Sequence, residues 1–342
     1  MFGSGCSPET GADPDGARSP SSPGGRAEEA AYESLRRRQS IMGTTFRIEV
    51  RTTRPEAAAR AIDAAFDEVV RLDGLLSSWE STSELSRVNR RAGERPVEVG
   101  PELMEVVALA QRISRRTDGA FDLTFASCDS LWSFRPPEIP SSSELKRCRG
   151  EIGYEQIRID RGESTIYLPD GDLAIGVGGI GKGYAVDRAA RILERHGIHN
   201  YLVDGGGDVR VRAEDVSPWQ VGIAHPRRRG ELLERLTLEE GAVVTSGDYE
   251  RYFERDGKRY HHILDPRTGR PARGTAAVTV VADRAARADA LSTALFVQGP
   301  QRGLALADEL ERVEALIVDP SMERRSSGGF GAYLASGRRR ER

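Results

Sequence analysis

Five of the eight residues from Gly176 to Gly183 are glycine, and the helical repeat "YAVDRAARILERHG" follows at once. A run with so few side chains has little to pack, so its use lies in backbone that approaches something closely. It commits this part of the chain to a loop feeding a helix N-terminus, where unpaired N–H groups favour an anion. Two phosphate-binding patterns fit the same residues. Gly176, Gly178 and Gly181 satisfy G-x-G-x-x-G, and Gly176, Gly181 and Lys182 satisfy G-x-x-x-x-G-K. The second pattern needs Ser or Thr after the lysine, and Gly183 stands there. The first gains from Asp204, which ends the strand "NYLVD" near where a ribose-binding acid falls. Yet "GGGDV" then turns into another strand instead of a second crossover helix. A third reading is a glycine loop needed only for tight packing.

The rest of the chain alternates irregularly between the two periodicities. "TTFRIEV" alternates about Phe46, Ile48 and Val50 as a strand does. "PEAAARAIDAAFDEVVRLDGLLSSW" places Ile62, Phe66, Val69, Val70 and Leu72 at helical spacing behind Pro55. A second helix opens near Pro101 and stops at Gly119. "RIDRGESTIYLPDGDLAIGVGG" reads as a hairpin-like strand pair, and "NYLVDGGGDVRVRA" as strand, glycine turn, strand. "WQVGIAHP", "LLERLTLEEGAVVTS", "KRYHHILDP" and "TAAVTVVAD" supply further strands. "RADALSTALFVQG" and "PQRGLALADELE" read as helices, and "VEALIVD" and "GFGAYLAS" as closing strands. With no steady βαβ rhythm, the expected class is α+β.

Residues 1–39 contain "GCSPETGADPDGARSPSSPGG", a Pro-, Gly- and Ser-rich run with almost nothing to bury, so a disordered segment or tether is expected there. Residues 40–335 form the expected catalytic domain, and 336–342 a basic tail. A net charge of −3 over 342 residues argues against general nucleic-acid binding. Cys6, Cys128 and Cys148 form no CxxC and no even disulfide set, which disfavours a cysteine-ligated metal. No apolar run approaches the roughly 20 residues of a membrane span. "GSGC" before a polar tether looks like a lipoprotein attachment site at Cys6, although only Met1 to Gly5 precede it.

Three further stretches are too polar for core. His261 and His262 precede "ILDPRTGRP"; in a strand only one of the two faces a given site, and a neutral imidazole suits a general base for a hydroxyl. "ADALSTA" puts Asp289 and Thr293 at i and i+4 on one helix face, a pair of hard oxygen donors suited to Mg²⁺. "TDGAFDLTF" is expected to expose Asp122 and Thr124 beside Phe121, and "IMGTTF" adds a Met–Gly turn.

Taken in order, Met-Gly-Thr, Ser-x-Trp…Ser-Glu, Gly-x-Phe-Asp, Gly-Gly-x-Gly-Lys-Gly, Ser-Gly-Asp-Tyr, His-x-x-Asp-Pro-x-Thr-Gly and Ala-Asp-x-x-x-Thr resemble the ApbE family of FAD:protein FMN transferases, from about Ile41 to Gly299. The resemblance implies Mg²⁺-dependent transfer of FMN from FAD to a Thr or Ser hydroxyl of an acceptor flavoprotein, such as a membrane redox-pump subunit, with release of AMP. It implies that Met42, Trp79, Ala120, Phe121 and Asp122 line the FAD site, that Lys182 lies by the dinucleotide and that Ile263 lies beside the flavin. It implies Asp289, Thr293 and a carbonyl of the glycine loop, Gly179, as Mg²⁺ ligands, and His262 as the base. One departure is Gly176, where the family carries Asp; Asp172 is a nearby substitute.

The rivals are an Mg²⁺-dependent FAD pyrophosphatase, a non-catalytic FAD-binding lipoprotein and an NAD-dependent oxidoreductase. The expected location is periplasmic, as an inner-membrane lipoprotein if Cys6 is lipidated, with the cytoplasm as the alternative.

Overall fold

The computed structural model describes residues 32–335. The proposed lipidation site at Cys6, most of the tether and the basic tail lie outside them. Among the described residues six α-helices run α1 (Pro55–Leu76), α2 (Glu84–Arg90), α3 (Pro101–Arg116), α4 (Ser142–Arg149), α5 (Gly181–Arg195) and α6 (Ala285–Glu309). Their starts follow local chemistry. Proline opens α1 and α3, Ser83 caps α2, and Ser141 with Glu144 forms a capping box on α4. α6 is two helices joined at Gly299 (φ 78°) and Pro300, matching the two expected segments.

The centre is an eight-stranded sheet in the order Glu33–Ile41, Thr44–Thr52, Tyr201–Gly205, Asp208–Arg212, Glu240–Gly247, Ala277–Ala282, Val313–Val318 and Arg324–Ser326. Every neighbouring pair is antiparallel. This excludes the dinucleotide fold built on parallel strands. Asp204 is used locally: it accepts from the Gly207 N–H at 2.9 Å and pairs with Arg47 at 3.3 Å.

Strand alternation divides the core in two. Tyr201, Val203, Ala242, Val244, Val278 and Val280 face α1, α5 and α6. Leu202, Val209, Val211, Val243, Val281 and Leu316 face the hairpin Trp219–Ala224/Leu232–Leu238 and Phe330. On α1, Ile62, Phe66, Val69, Leu72 and Leu76 are buried at helical spacing; at roughly 1.5–3 kcal/mol per large apolar side chain, this face alone ties the helix down.

Four expectations change. The ordered fold starts before residue 40, because Glu33–Ile41 pairs with Thr44–Thr52 along its whole length; ladder hydrogen bonds compensate for its scarcity of apolar residues. "GFGAYLAS" forms a short 3₁₀ turn at Phe330–Tyr333, with Phe330 fully buried and Tyr333 and Leu334 half-buried against the same cluster. Only Arg158–Asp160 and Thr165–Tyr167 of the expected long hairpin are strands. Cys128 and Cys148 are joined in a disulfide spanning 20 residues, so the odd total concealed an even pair.

Candidate active site

α5 and α6 cross where glycine permits it. A Cβ on Gly183 would lie 2.4 Å from the Ala285 carbonyl oxygen, so only glycine allows this approach. Asp187 of α5 accepts from the Ala285 and Ala286 N–H groups at 2.9 and 3.0 Å, capping α6 across the interface, and is itself held by Arg210 at 2.7 Å. The crossing fixes Asp289 against the glycine loop. Its carboxylate, 4% exposed, accepts from the Gly183 N–H at 3.1 Å.

Thr293 lies one turn further along α6. A Cβ on Gly179 would lie 3.3 Å from the Thr293 hydroxyl and 3.1 Å from Phe121, so three residues distant in sequence meet at one point of the loop. Ser246 is within hydrogen-bond distance of Ser292 at 2.7 Å and of Thr293 at 3.4 Å, adding one hydroxyl from the central sheet.

Lys182 donates to Asp208 at 3.0 Å. Asp208, 3% exposed, belongs to none of the sequence motifs; its only signal is a carboxylate closing the turn "GGGD" between two strands. Burial, reinforced by the Asp289 carboxylate, pushes Asp208 well above the usual carboxylate range, against the pull of Lys182. Burial acts to lower Lys182, but Asp289 and Asp208 outweigh it and the ammonium is raised. The cluster therefore holds two carboxylates against one ammonium in a poorly solvated place.

His261 and His262 divide as strand alternation requires. His261 is 4% exposed, within 3.0 Å of the Ala272 carbonyl and edge-on to Phe296. His262 is reachable by solvent, yet surrounding protein atoms strip much of its hydration. Burial first, then His261 and Arg251, pushes its imidazole down to about 4, so it is neutral at pH 7. The His262 backbone N–H donates to the Arg251 carbonyl at 3.1 Å.

The remaining positions differ in character. Met42 (φ 53°) and Gly43 (φ 69°) form a two-residue hairpin turn, and the Met42 N–H donates to Asp73 at 3.1 Å. Trp79 is 93% exposed, so the indole is not core. Ala120, Phe121 and Ile263 are buried in the main core. Asp122 is partly exposed, and its carboxylate accepts from the Thr124 N–H and hydroxyl and the Tyr154 N–H at 2.7–2.9 Å. Thr124 is buried, correcting its expected exposure, because it closes this hydrogen-bonded turn. Gly176 cannot host a side chain here: a Cβ would lie 2.9 Å from that of Ala126. Asp172 lies in an exposed turn and donates its N–H to Asp170.

The profile of the ApbE family matches residues 42–317, through all these loops. The chain belongs to the ApbE family. The FAD:protein FMN transferase of Vibrio cholerae is 33% identical over 86% of this chain and 91% of its own length. That of Treponema pallidum is 34% identical over 90% of each. The ApbE protein of Thermotoga maritima superposes with a TM-score of 0.80 at 34% identity, covering 89% of this chain and all of that one. The Vibrio cholerae flavin transferase ApbE superposes at 0.78 with 30% identity, over 89% of this chain and all of that one. The α+β class and its arrangement are thus those of ApbE proteins.

Proposed function

We propose that this ApbE-family enzyme transfers FMN from FAD to a Thr or Ser hydroxyl of an acceptor flavoprotein and releases AMP. The observation that carries the reading is the convergence of Asp289, Thr293, Gly179 and Lys182 at the mouth of α5, with a neutral His262 on a neighbouring loop.

The chemistry divides between these residues. His262 accepts the proton of the acceptor hydroxyl. The hydroxyl oxygen forms a bond to the FMN-side phosphorus, and the bridging P–O bond breaks towards AMP. Lys182 supplies positive charge to the phosphates. Phe121 and Ile263 form apolar wall for the ring system, with Met42 and Ala120 on the same core side. The exposed Trp79 indole offers a flat surface for stacking.

The donor set at the mouth of α5 is of a kind that suits Mg²⁺. Asp289 and Asp208 share one ammonium, Lys182, and a further cation would relieve the repulsion from Asp289 that helps to keep Asp208 from ionising. Among the described residues no group of three His, Cys, Asp or Glu side chains gathers as a metal site. The oxygen set of Asp289, Thr293 and the Gly179 carbonyl does not require one, and hard oxygens suit Mg²⁺. When bound, the ion would neutralise charge on the pyrophosphate and the leaving AMP.

We propose a periplasmic location, supported by the Cys128–Cys148 bond, since disulfides persist in oxidising compartments. The acceptor in this reading is a flavoprotein such as a membrane redox-pump subunit.

The deciding experiment incubates the protein with FAD, Mg²⁺ and a Thr-bearing acceptor, followed by mass spectrometry. An acceptor heavier by one FMN, with AMP in solution, is expected. Free FMN with unmodified acceptor would make the enzyme a pyrophosphatase, and bound FAD without AMP a storage protein.

A further inference from the structure

His262 sits between two very short strands, Lys258–His261 and Leu264–Asp265, which cannot hold it alone. One side chain reaches both flanks. Trp132 is buried; its indole N–H donates to the Gly269 carbonyl at 2.9 Å, and its ring lies 6.2 Å from that of Tyr260. Gly269 closes the turn after Asp265, donating its N–H to that residue's carbonyl at 2.8 Å. Tyr260 stacks on Phe253 at 5.1 Å in the hairpin that leads into His262. Phe134 meets Phe253 at 6.0 Å, and Arg255 donates to the Pro137 carbonyl at 3.2 Å.

Trp132, Phe134 and Pro137 all belong to the segment closed by the Cys128–Cys148 bond. Both cysteines are buried, and the bond ties the start of the segment to the end of α4. Leu145 of α4 completes the contact, 3.2 Å from where a Cβ on Gly269 would stand.

We propose that Trp132 is a positioning residue for His262, and that the Cys128–Cys148 bond holds the loop that presents it. This rests on His262 being the base. The indole fixes the strand before the histidine through Tyr260 and the turn after it through Gly269. Without the clamp the imidazole samples poses in which it cannot reach the acceptor hydroxyl.

The test uses the full chain with FAD, Mg²⁺ and a Thr-bearing acceptor, and compares Trp132→Phe, His262→Ala and the double variant. Trp132→Phe keeps an aromatic ring and removes the donor. It is expected to lower kcat by about 10-fold, since small misplacement of a reacting group is costly, with FAD affinity unchanged within about twofold. In the His262→Ala background it is expected to add less than about twofold, because the residue it positions is already gone. A Trp132→Phe kcat within twofold of wild type overturns the proposal. So does a full additional loss in the double variant, or an equal loss of FAD affinity. If His262→Ala alone transfers FMN at the wild-type rate, the base assignment fails first and this inference falls with it. Should Trp132→Phe not fold, Cys128→Ala with Cys148→Ala carries the same test: kcat is expected to fall with FAD affinity retained, and an unchanged kcat overturns the proposal.

Discussion

The two halves of the candidate site are built by different means. The charged half, with Asp289, Thr293, Lys182 and Asp208, stands on the long helices α5 and α6 and the central sheet, and backbone contact at Gly183 sets its spacing. The half that carries the proposed base, His262, stands on strands of two to four residues, beside an aromatic cluster and a disulfide-closed loop. Rigid elements suit groups that must hold fixed charge close together against its own repulsion. On the proposed function, short strands suit a side chain that would meet a second protein. A defect in the first half should therefore be lost chemistry or lost stability, and a defect in the second a graded loss of rate.

The largest expected break is Asp289→Ala, which removes a carboxylate proposed to hold the cation. Transfer should fall about 10⁴-fold, matching several kcal/mol of charge stabilisation. The fold should survive, because removing a like charge beside Asp208 offsets the loss of the hydrogen bond from the Gly183 N–H. Full activity of this variant in Mg²⁺, or of the wild type in EDTA, would remove Mg²⁺ from the account.

His262→Ala comes next, at roughly 10²–10⁴-fold in rate with FAD still bound. The same histidine sharpens the comparison through pH. With its pKa pushed down to about 4, the neutral form persists below the ordinary histidine range. The rate should hold as pH falls past 6.5 and drop only on approach to about 4, and solvent access to the ring sets the limb between these two values. A rate already halved at pH 6.5 would contradict this environment.

Gly183→Ala tests the rigid half mechanically. Its Cβ would meet the Ala285 carbonyl oxygen at 2.4 Å, and the backbone cannot yield without separating α5 from α6. A loss of roughly 1–3 kcal/mol is expected by denaturant unfolding. An unchanged midpoint would show the crossing to be looser than drawn.

The smallest effect is Trp79→Ala. At 93% exposure the indole contributes little to the fold, so stability should stay within about 0.5 kcal/mol. FAD affinity should fall by about 0.5–1.5 kcal/mol if the ring stacks on the cofactor. Unchanged affinity would leave Trp79 a surface residue with no part in the site.

Much of this was legible in one dimension. The strands about Phe46 and Val280, the helix from Pro55, and Asp289 with Thr293 at i and i+4 all follow from local periodicity. The division between His261 and His262 follows from strand alternation alone. Asp208 was missed because its meaning lies in Lys182 and Asp289, neither of them near it in sequence. Thr124 read as exposed because a hydroxyl beside a carboxylate looks like surface until Tyr154 closes over the turn.

The sequence by itself determined the periods of the elements, the chemistry of the donors and, through seven ordered motifs, the family. These are properties of neighbours along the chain or of residue identity. Tertiary structure alone decided that the glycine loop serves an antiparallel sheet and meets α6. It alone paired Cys128 with Cys148, and brought Trp132 to the turn at Gly269. Each of those facts is a contact between segments far apart in sequence. No local periodicity encodes such a contact; it arises where packing faces meet as the chain closes on itself.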